Sequence, residues 1–286
     1  AIHFGCMPPE KVNLLEEAVE AARNADAVIL VVGTNSDWET EGTDRADLSL
    51  PANQDQLIEN ILKENENTVV VLNSGSPVSM PWLDESKAVL QSWFGGQEYG
   101  NSLADLVFGR VNPSGKLPTT FPVKIEDTPA FDYYPGKNSQ MDYEEKLLVG
   151  HRWYEKKNIK PLFPFGFGLS YTNFSFSNLE LNKKDDFNID CKFKLKNLGK
   201  MDGSEVAQCY VSFSDAAKDE PLKSLQSFKK VFIKKDSEVE VKLSLNKRNF
   251  SYWDVEKKDW VVKSGKYTIS IGSSSEHIEL KEEVIL

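Results

Sequence analysis

The chain has 286 residues, 40% hydrophobic and 27% charged, a balance that suits a globular protein of about two domains, each able to bury its own core. Its formal net charge of −10 argues against nucleic acid or an anionic membrane as the main partner, because both call for basic surface. No apolar stretch approaches the roughly 20 residues needed to span a bilayer. The opening Ala1-Ile2-His3-Phe4-Gly5 is neither a secretory leader nor an initiator methionine, so a processed product or a piece of a longer chain is expected.

From the start of the chain, Val12, Leu15, Ala18, Val19 and Ala22 recur at the spacing of one helical face, which predicts a helix over 10–24. The run Ala27-Val28-Ile29-Leu30-Val31-Val32-Gly33 has the length and β-branched content of a strand buried on both faces. A second helix is predicted over 53–64, with Leu57, Ile58, Ile61 and Leu62 facing inward. Thr68-Val69-Val70-Val71-Leu72-Asn73 reads as a second apolar strand and 88–94 as a third, after which Gly95-Gly96 opens a helix running to about Phe108. Strand and helix alternating at this spacing predict βαβ crossovers and a parallel sheet. Residues 112–171, rich in Pro, Gly and aromatics, suggest an ordered connector.

From about Phe174 the period changes to two. Ile189, Cys191, Phe193 and Leu195 alternate with Asp190, Lys192 and Lys194, and Val239, Val241, Leu243 and Leu245 alternate with Glu240, Lys242 and Ser244. Roughly seven short runs of this kind fit a β-sandwich of immunoglobulin or fibronectin type. Cys6, Cys191 and Cys209 are too few for a disulfide scaffold; Cys191 and Cys209 fall in neighbouring strand-like runs and read as buried free thiols. His3, His151 and His277 have no ligand spacing, and neither a metal nor a cofactor is expected.

The chemistry is expected directly after the first strand. Residues 35–47 carry Asp37, Glu39, Glu41, Asp44 and Asp47 with Arg45, on a loop that should leave the carboxyl end of that strand, where open α/β sheets present their sites. Glu41 is the candidate general acid: Gly42 would let the chain turn sharply beside it, and Asp37, Glu39 and Asp44 would raise its pKa. On spacing alone, a solvated acidic loop is the competing reading.

Four segments in order resemble the carboxyl-terminal half of glycoside hydrolase family three, the β-glucosidase and β-xylosidase family. They are Trp38-Glu39-Thr40-Glu41-Gly42-Thr43-Asp44-Arg45, Gly96-Gln97-Glu98-Tyr99-Gly100-Asn101, Gly109-Arg110-Val111-Asn112-Pro113-Ser114-Gly115-Lys116-Leu117-Pro118, and Pro161-Leu162-Phe163-Pro164-Phe165-Gly166-Phe167-Gly168-Leu169-Ser170-Tyr171. Asn197-Leu198-Gly199-Lys200, Gly203-Ser204-Glu205-Val206-Ala207-Gln208 and Trp260-Val261-Val262-Lys263-Ser264-Gly265-Lys266-Tyr267 are similar to that family's fibronectin-type domain. The resemblance implies part of an α/β three-layer sandwich with a mostly parallel sheet over 1–122, a connector over 123–172, and an all-β fibronectin type III-like sandwich over 173–286.

It also implies a retaining β-glucosidase acting on terminal non-reducing β-D-glucosyl residues, with Glu41 as general acid/base about 5 Å from a carboxylate nucleophile. Trp38 would stack on the sugar, and Asp44 and Arg45 would fix the loop through an ion pair. The family's nucleophile is an Asp on an amino-terminal (β/α)8 barrel, in a Ser-Asp-Trp motif. Ser36-Asp37-Trp38 imitates that motif in the wrong domain, so the nucleophile is expected from a barrel on the same precursor or another chain, and this chain alone is expected to be inactive. The partners implied are a β-glucoside or oligosaccharide and that barrel, with neither nucleic acid nor membrane.

In this resemblance Lys146 replaces a glycine and His151 a tyrosine; His151 is read as structural, and Trp93 and Phe94 as core, with a place in a sugar subsite alongside Trp38 as the alternative. Alternative readings are a non-catalytic carbohydrate-binding or protein-association remnant, or the equivalent half of a β-xylosidase. An incomplete α/β core further predicts an exposed apolar edge. The compartment is left open, cytoplasmic or secreted within a larger precursor, and the sequons at Asn173 and Asn249 sit in strand-like surroundings.

Overall fold

A computed structural model describes residues 14–138 and 140–286, which divide into two compact units. The first runs to Ala104 and takes in Val123–Ile125; the second comprises Asp105–Pro122 and Glu126–Leu286. Cys6 and His3 lie outside the described residues, as does the start of the helix expected over 10–24.

The first unit holds α1 (Leu14–Arg23), β1 (Val28–Gly33), α2 (Gln54–Glu64), β2 (Thr68–Asn73) and β3 (Ala88–Gln91); α3 (Tyr99–Val107) begins in it and ends in the second. The strands form one parallel sheet in the order β1-β2-β3. Leu30 and Val32 of β1 pair with Val70 and Leu72 of β2, all buried, and α2 packs on this sheet through Ile58, Ile61 and Leu62. Each such side chain contributes about 1.5–3 kcal/mol of burial.

β1 departs from its sequence reading. It is an edge strand buried on one face only: Leu30 and Val32 are covered, while Ile29 and Val31 are 48% and 51% exposed. The composition of the strand meets the demand of a two-sided burial that the described residues do not supply.

The second unit is built on two antiparallel sheets. One has the order β12-β11-β6-β7, from Ile278–Ile285, Lys266–Gly272, Gly203–Phe213 and Ser224–Ile233. The other has the order β4-β5-β8, from Phe174–Lys183, Ile189–Asn197 and Glu238–Leu245. A separate hairpin pairs β9 (Ser251–Asp254) with β10 (Asp259–Val262). The core between the sheets contains Ile189, Cys191, Phe193 and Leu195 of β5, Val241, Leu243 and Leu245 of β8, Ala207 and Cys209 of β6, and Ile269 and Ile271 of β11. Cys191 and Cys209 are free buried thiols; their mutual hydrogen bond, with burial, pushes the Cys209 thiol up. The fold class is therefore α/β with a parallel sheet, followed by an all-β fibronectin type III-like sandwich.

The segment before β4 docks on β6. Lys116 makes a buried 2.7 Å ion pair with Glu205 and donates to the Gly168 carbonyl at 2.8 Å, and Gln208 donates to the Gly166 carbonyl at 3.1 Å. Lys146, which stands where a glycine was expected, keeps a left-handed backbone at φ 50°, so the turn survives the substitution under strain. His151 opens α4 (His151–Lys157), stacks on Phe165 at 5.0 Å and meets Tyr210 edge-on at 6.0 Å. Burial, with the charges of Arg152 and Lys223, lowers its pKa to about 4. This is a packed, neutral imidazole.

Candidate active site

The loops leaving the carboxyl ends of the three parallel strands are tied to one another. At the end of β1, the Gln54 side chain clamps Gly33, accepting from its N–H and donating to its carbonyl, both at 2.8 Å. A Cβ at Gly33 would stand 2.0 Å from the Asn73 carbonyl, so β1 and β2 can approach this closely only with glycine there. Asn35 then turns the chain: its side-chain oxygen accepts from the N–H groups of Asp37 and Trp38, and its carbonyl accepts from Trp38 and Glu39.

Glu39 is the latch. Thr34 donates its hydroxyl to Glu39 Oε1 at 2.5 Å, and the Gly75 N–H donates to both carboxylate oxygens at 2.9 and 3.1 Å. The carboxylate therefore joins the loop after β1 to the loop after β2. A Cβ on Gly75 would lie 2.2 Å from Glu39 Oε2 and 2.8 Å from the ring of Phe94, which places the segment after β3 at the same spot. Phe94 is 56% exposed there, which corrects its reading as core; Trp93 is half-buried.

Beyond the latch, Thr40 and Thr43 pair in an antiparallel bridge that puts Glu41 and Gly42 on an exposed tip. Gly42 adopts no left-handed φ, and a Cβ there would meet nothing within 4 Å. The bridge between the two threonines, rather than glycine's freedom, makes the turn. Asp37 and Asp44 are also exposed.

Arg45 is half-buried and donates through Nη1 to the Ser76 hydroxyl at 2.7 Å and the Pro77 carbonyl at 3.1 Å, a second tie to the loop after β2. Burial lowers its pKa, and the negative charges of Glu39 and Asp47 oppose that shift. The hydroxyl and N–H of Ser49 hold the Asp47 carboxyl below its ordinary range. Among the described residues, Arg45 Nε and Nη2 and Trp38 Nε1 are buried without a hydrogen-bond partner.

The structure thus brings Trp38, Glu39 and Arg45 into the packed base of the loop and leaves Glu41 and Asp44 on its exposed part. Sequence reasoning counted Glu39 only as a neighbouring charge, and weighed Phe94 for a sugar subsite without linking it to Gly75. Nothing in either residue's local pattern could have supplied the link, because Gly75 meets them only through the fold. The chemical character of the site is the Glu41 carboxylate presented to solvent at the tip, with Asp37 and Asp44 exposed elsewhere on the loop, above a base hydrogen-bonded through Glu39 and Arg45.

Residues 10–171 match the family described as Glycosyl hydrolase family 3 C-terminal domain, and residues 205–275 match the Fibronectin type III-like domain. The chain is 46% identical over 275 residues to thermostable beta-glucosidase B of Acetivibrio thermocellus, covering 95% of this chain and 36% of that protein. Among solved structures, it is similar to the GH3 beta-glucosidase of Bifidobacterium adolescentis, with TM-score 0.94, 39% identity, and coverage of 98% of this chain and 42% of that one. It is also similar to the beta-glucosidase of Kluyveromyces marxianus in complex with glucose, with TM-score 0.91, 39% identity, and coverage of 95% and 33%. The chain spans about a third of the length of the curated relatives it matches.

Proposed function

The chain belongs to glycosyl hydrolase family 3 through its C-terminal domain, and on that premise we propose that it supplies the general acid/base of a retaining β-glucosidase acting on terminal non-reducing β-D-glucosyl residues. The observation that carries this reading is the Thr40–Thr43 turn, which presents Glu41 from the carboxyl side of the parallel sheet on a base latched by Glu39. The Glu41 carboxyl donates its proton to the glycosidic oxygen as the bond from that oxygen to C1 breaks and a carboxylate nucleophile bonds to C1. In the second step the Glu41 carboxylate takes a proton from water, the hydroxide adds to C1, and the nucleophile leaves as a carboxylate. Trp38 contributes a stacking face for the sugar, and Asp44 and Arg45 hold the loop. The nucleophile is an Asp from a (β/α)8 barrel domain, on the same precursor or on another chain, and without it this chain is inactive.

The test is hydrolysis of a chromogenic β-glucoside by the chain alone and mixed with the barrel domain of a relative. Activity is expected only in the mixture and should fall about 10²–10⁴-fold in Glu41→Gln. Added azide, which needs no general base, should restore turnover of that variant. Glu39→Gln serves as the counter-case: if it, and not Glu41→Gln, gives the azide-rescued loss, the latch is the acid and the assignment of Glu41 fails.

A further inference from the structure

The fibronectin type III-like unit carries an aromatic surface that its own core does not use. Trp253 of β9 and Trp260 of β10 stand directly opposite each other in the hairpin register, 47% and 38% exposed, with ring centroids 5.4 Å apart and planes tilted by 60°. The hairpin pairs with neither main sheet. Beside it lies a cleft of about 560 Å3 lined by Trp260, Phe187, Asn188, Asn246, Arg248 and Asp259, among others.

The cleft is built by its surroundings. The Arg248 guanidinium packs over the Trp260 ring, and Lys247 lies over Phe187. The Asn246 side chain accepts from the Arg248 N–H at 2.9 Å, Asp259 accepts from the Trp260 N–H at 2.7 Å, and Asn188 donates to Asp185 at 2.7 Å. These contacts fix the side chains while leaving each amide or carboxylate with further donors or acceptors to offer.

The exposed Trp253 ring, backed by a Trp260 that has Arg248 over its ring, and the adjoining amides and charges of both signs match the amphipathic surface of a pyranose. The axial C–H faces of β-linked glucose stack on a ring while its equatorial hydroxyls exchange hydrogen bonds at the rim. The lining charges, Lys247 and Arg248 against Asp259, leave the cleft close to neutral, and the net charge of −10 works against a polyanion at longer range. We propose that Trp253, Trp260 and the adjoining cleft form a binding site for a neutral β-glucan chain, separate from the loop that carries Glu41. The choice of glucan rests on the β-glucosidase reading; the surface does not.

The test is titration of the full chain with cellopentaose, followed by tryptophan fluorescence and calorimetry. Hydrolysis of a chromogenic β-glucoside by the mixture with the barrel domain is expected to be unchanged in Trp253→Leu and Trp260→Leu, which separates this site from the hydrolytic one. Trp253→Leu and Trp260→Leu keep an apolar cross-strand pair but remove the flat face, and each should weaken binding about tenfold or more with an unchanged melting temperature. Should a leucine variant unfold, the wild-type chain decides: cellopentaose is expected to protect Trp253 from oxidation by N-bromosuccinimide. No saccharide-dependent signal in wild type, equal binding by both leucine variants, absence of protection, or preference for heparin over cellopentaose would overturn the proposal.

Discussion

β1 and β5 carry similar amounts of apolar side chain and dispose of it in opposite ways. In β5, Ile189, Cys191, Phe193 and Leu195 all point into a core closed by the facing sheet, while Lys192, Lys194 and Lys196 face outward. In β1, the inward Leu30 and Val32 are matched by outward Ile29 and Val31, with nothing over them among the described residues. The inward face of β5 is closed over, whereas β1 has apolar side chains to spare beside the loops that carry the candidate chemistry. The two strands, and the units that hold them, should therefore respond differently to substitution.

The largest effect is expected in the sandwich. Phe193 is fully buried and stacked on Phe176 at 6.1 Å, so Phe193→Ala should cost about 3–5 kcal/mol in denaturant unfolding of this unit. The contrast fails if the loss is below about 1 kcal/mol, since the core would then be looser than its burial implies.

Acid should come next, and its sign follows from His151. The imidazole titrates near 4 when folded and near 6.5 when free, so the folded state binds fewer protons between those values. Its contribution is intact above pH 6.5 and is lost as pH falls toward 4, by at most on the order of 3 kcal/mol. Glu155, whose carboxyl burial raises despite Lys223 at 2.9 Å, acts in the opposite sense by taking up a proton in the folded state. Unfolding from pH 7 to pH 4 should therefore be less acid-sensitive in His151→Phe than in wild type; equal slopes would remove His151 as the cause.

These differences also show what the sequence could and could not convey. The period-two runs named the core residues of β5 and β8 correctly because in an antiparallel sandwich each strand's inward face is written in its own alternation. The run Thr68–Asn73 coincides with β2 for a similar reason: it is central and covered. β1 misled because an apolar run reports what a strand is suited to bury, not what lies over it. The motif around Glu41 located the loop, but the latch of Glu39 on Gly75 and the approach of Phe94 join residues tens of positions apart. No local pattern encodes such a meeting.

A smaller effect is expected at that latch. Alanine at Gly75 would drive its Cβ against the Glu39 carboxylate and the Phe94 ring, and the side chain that can yield is Glu39. Gly75→Ala should cost about 1–2 kcal/mol in the first unit. Hydrolysis by the barrel mixture should fall about tenfold with the melting of the sandwich unchanged, because a loosened base misplaces the tip without touching it. Undiminished activity would mean that the loop holds its geometry without Glu39.

The smallest effect, that of Val31→Thr, tests the comparison at its root. Val31 and Val71 are paired neighbours on adjacent strands, one half exposed and the other fully buried. Val71→Thr puts a hydroxyl where no water reaches and should cost about 1–3 kcal/mol in urea unfolding. Val31→Thr in the same chain should change stability by less than about 0.5 kcal/mol, because its hydroxyl stays solvated. If Val31→Thr costs as much as Val71→Thr, the outward face of β1 is covered in solution and the asymmetry between the two units disappears. If it is neutral in the chain alone and costly in the mixture with the barrel domain, the spare apolar face is where association draws its stability, and the incomplete burial of β1 becomes part of how the enzyme is assembled.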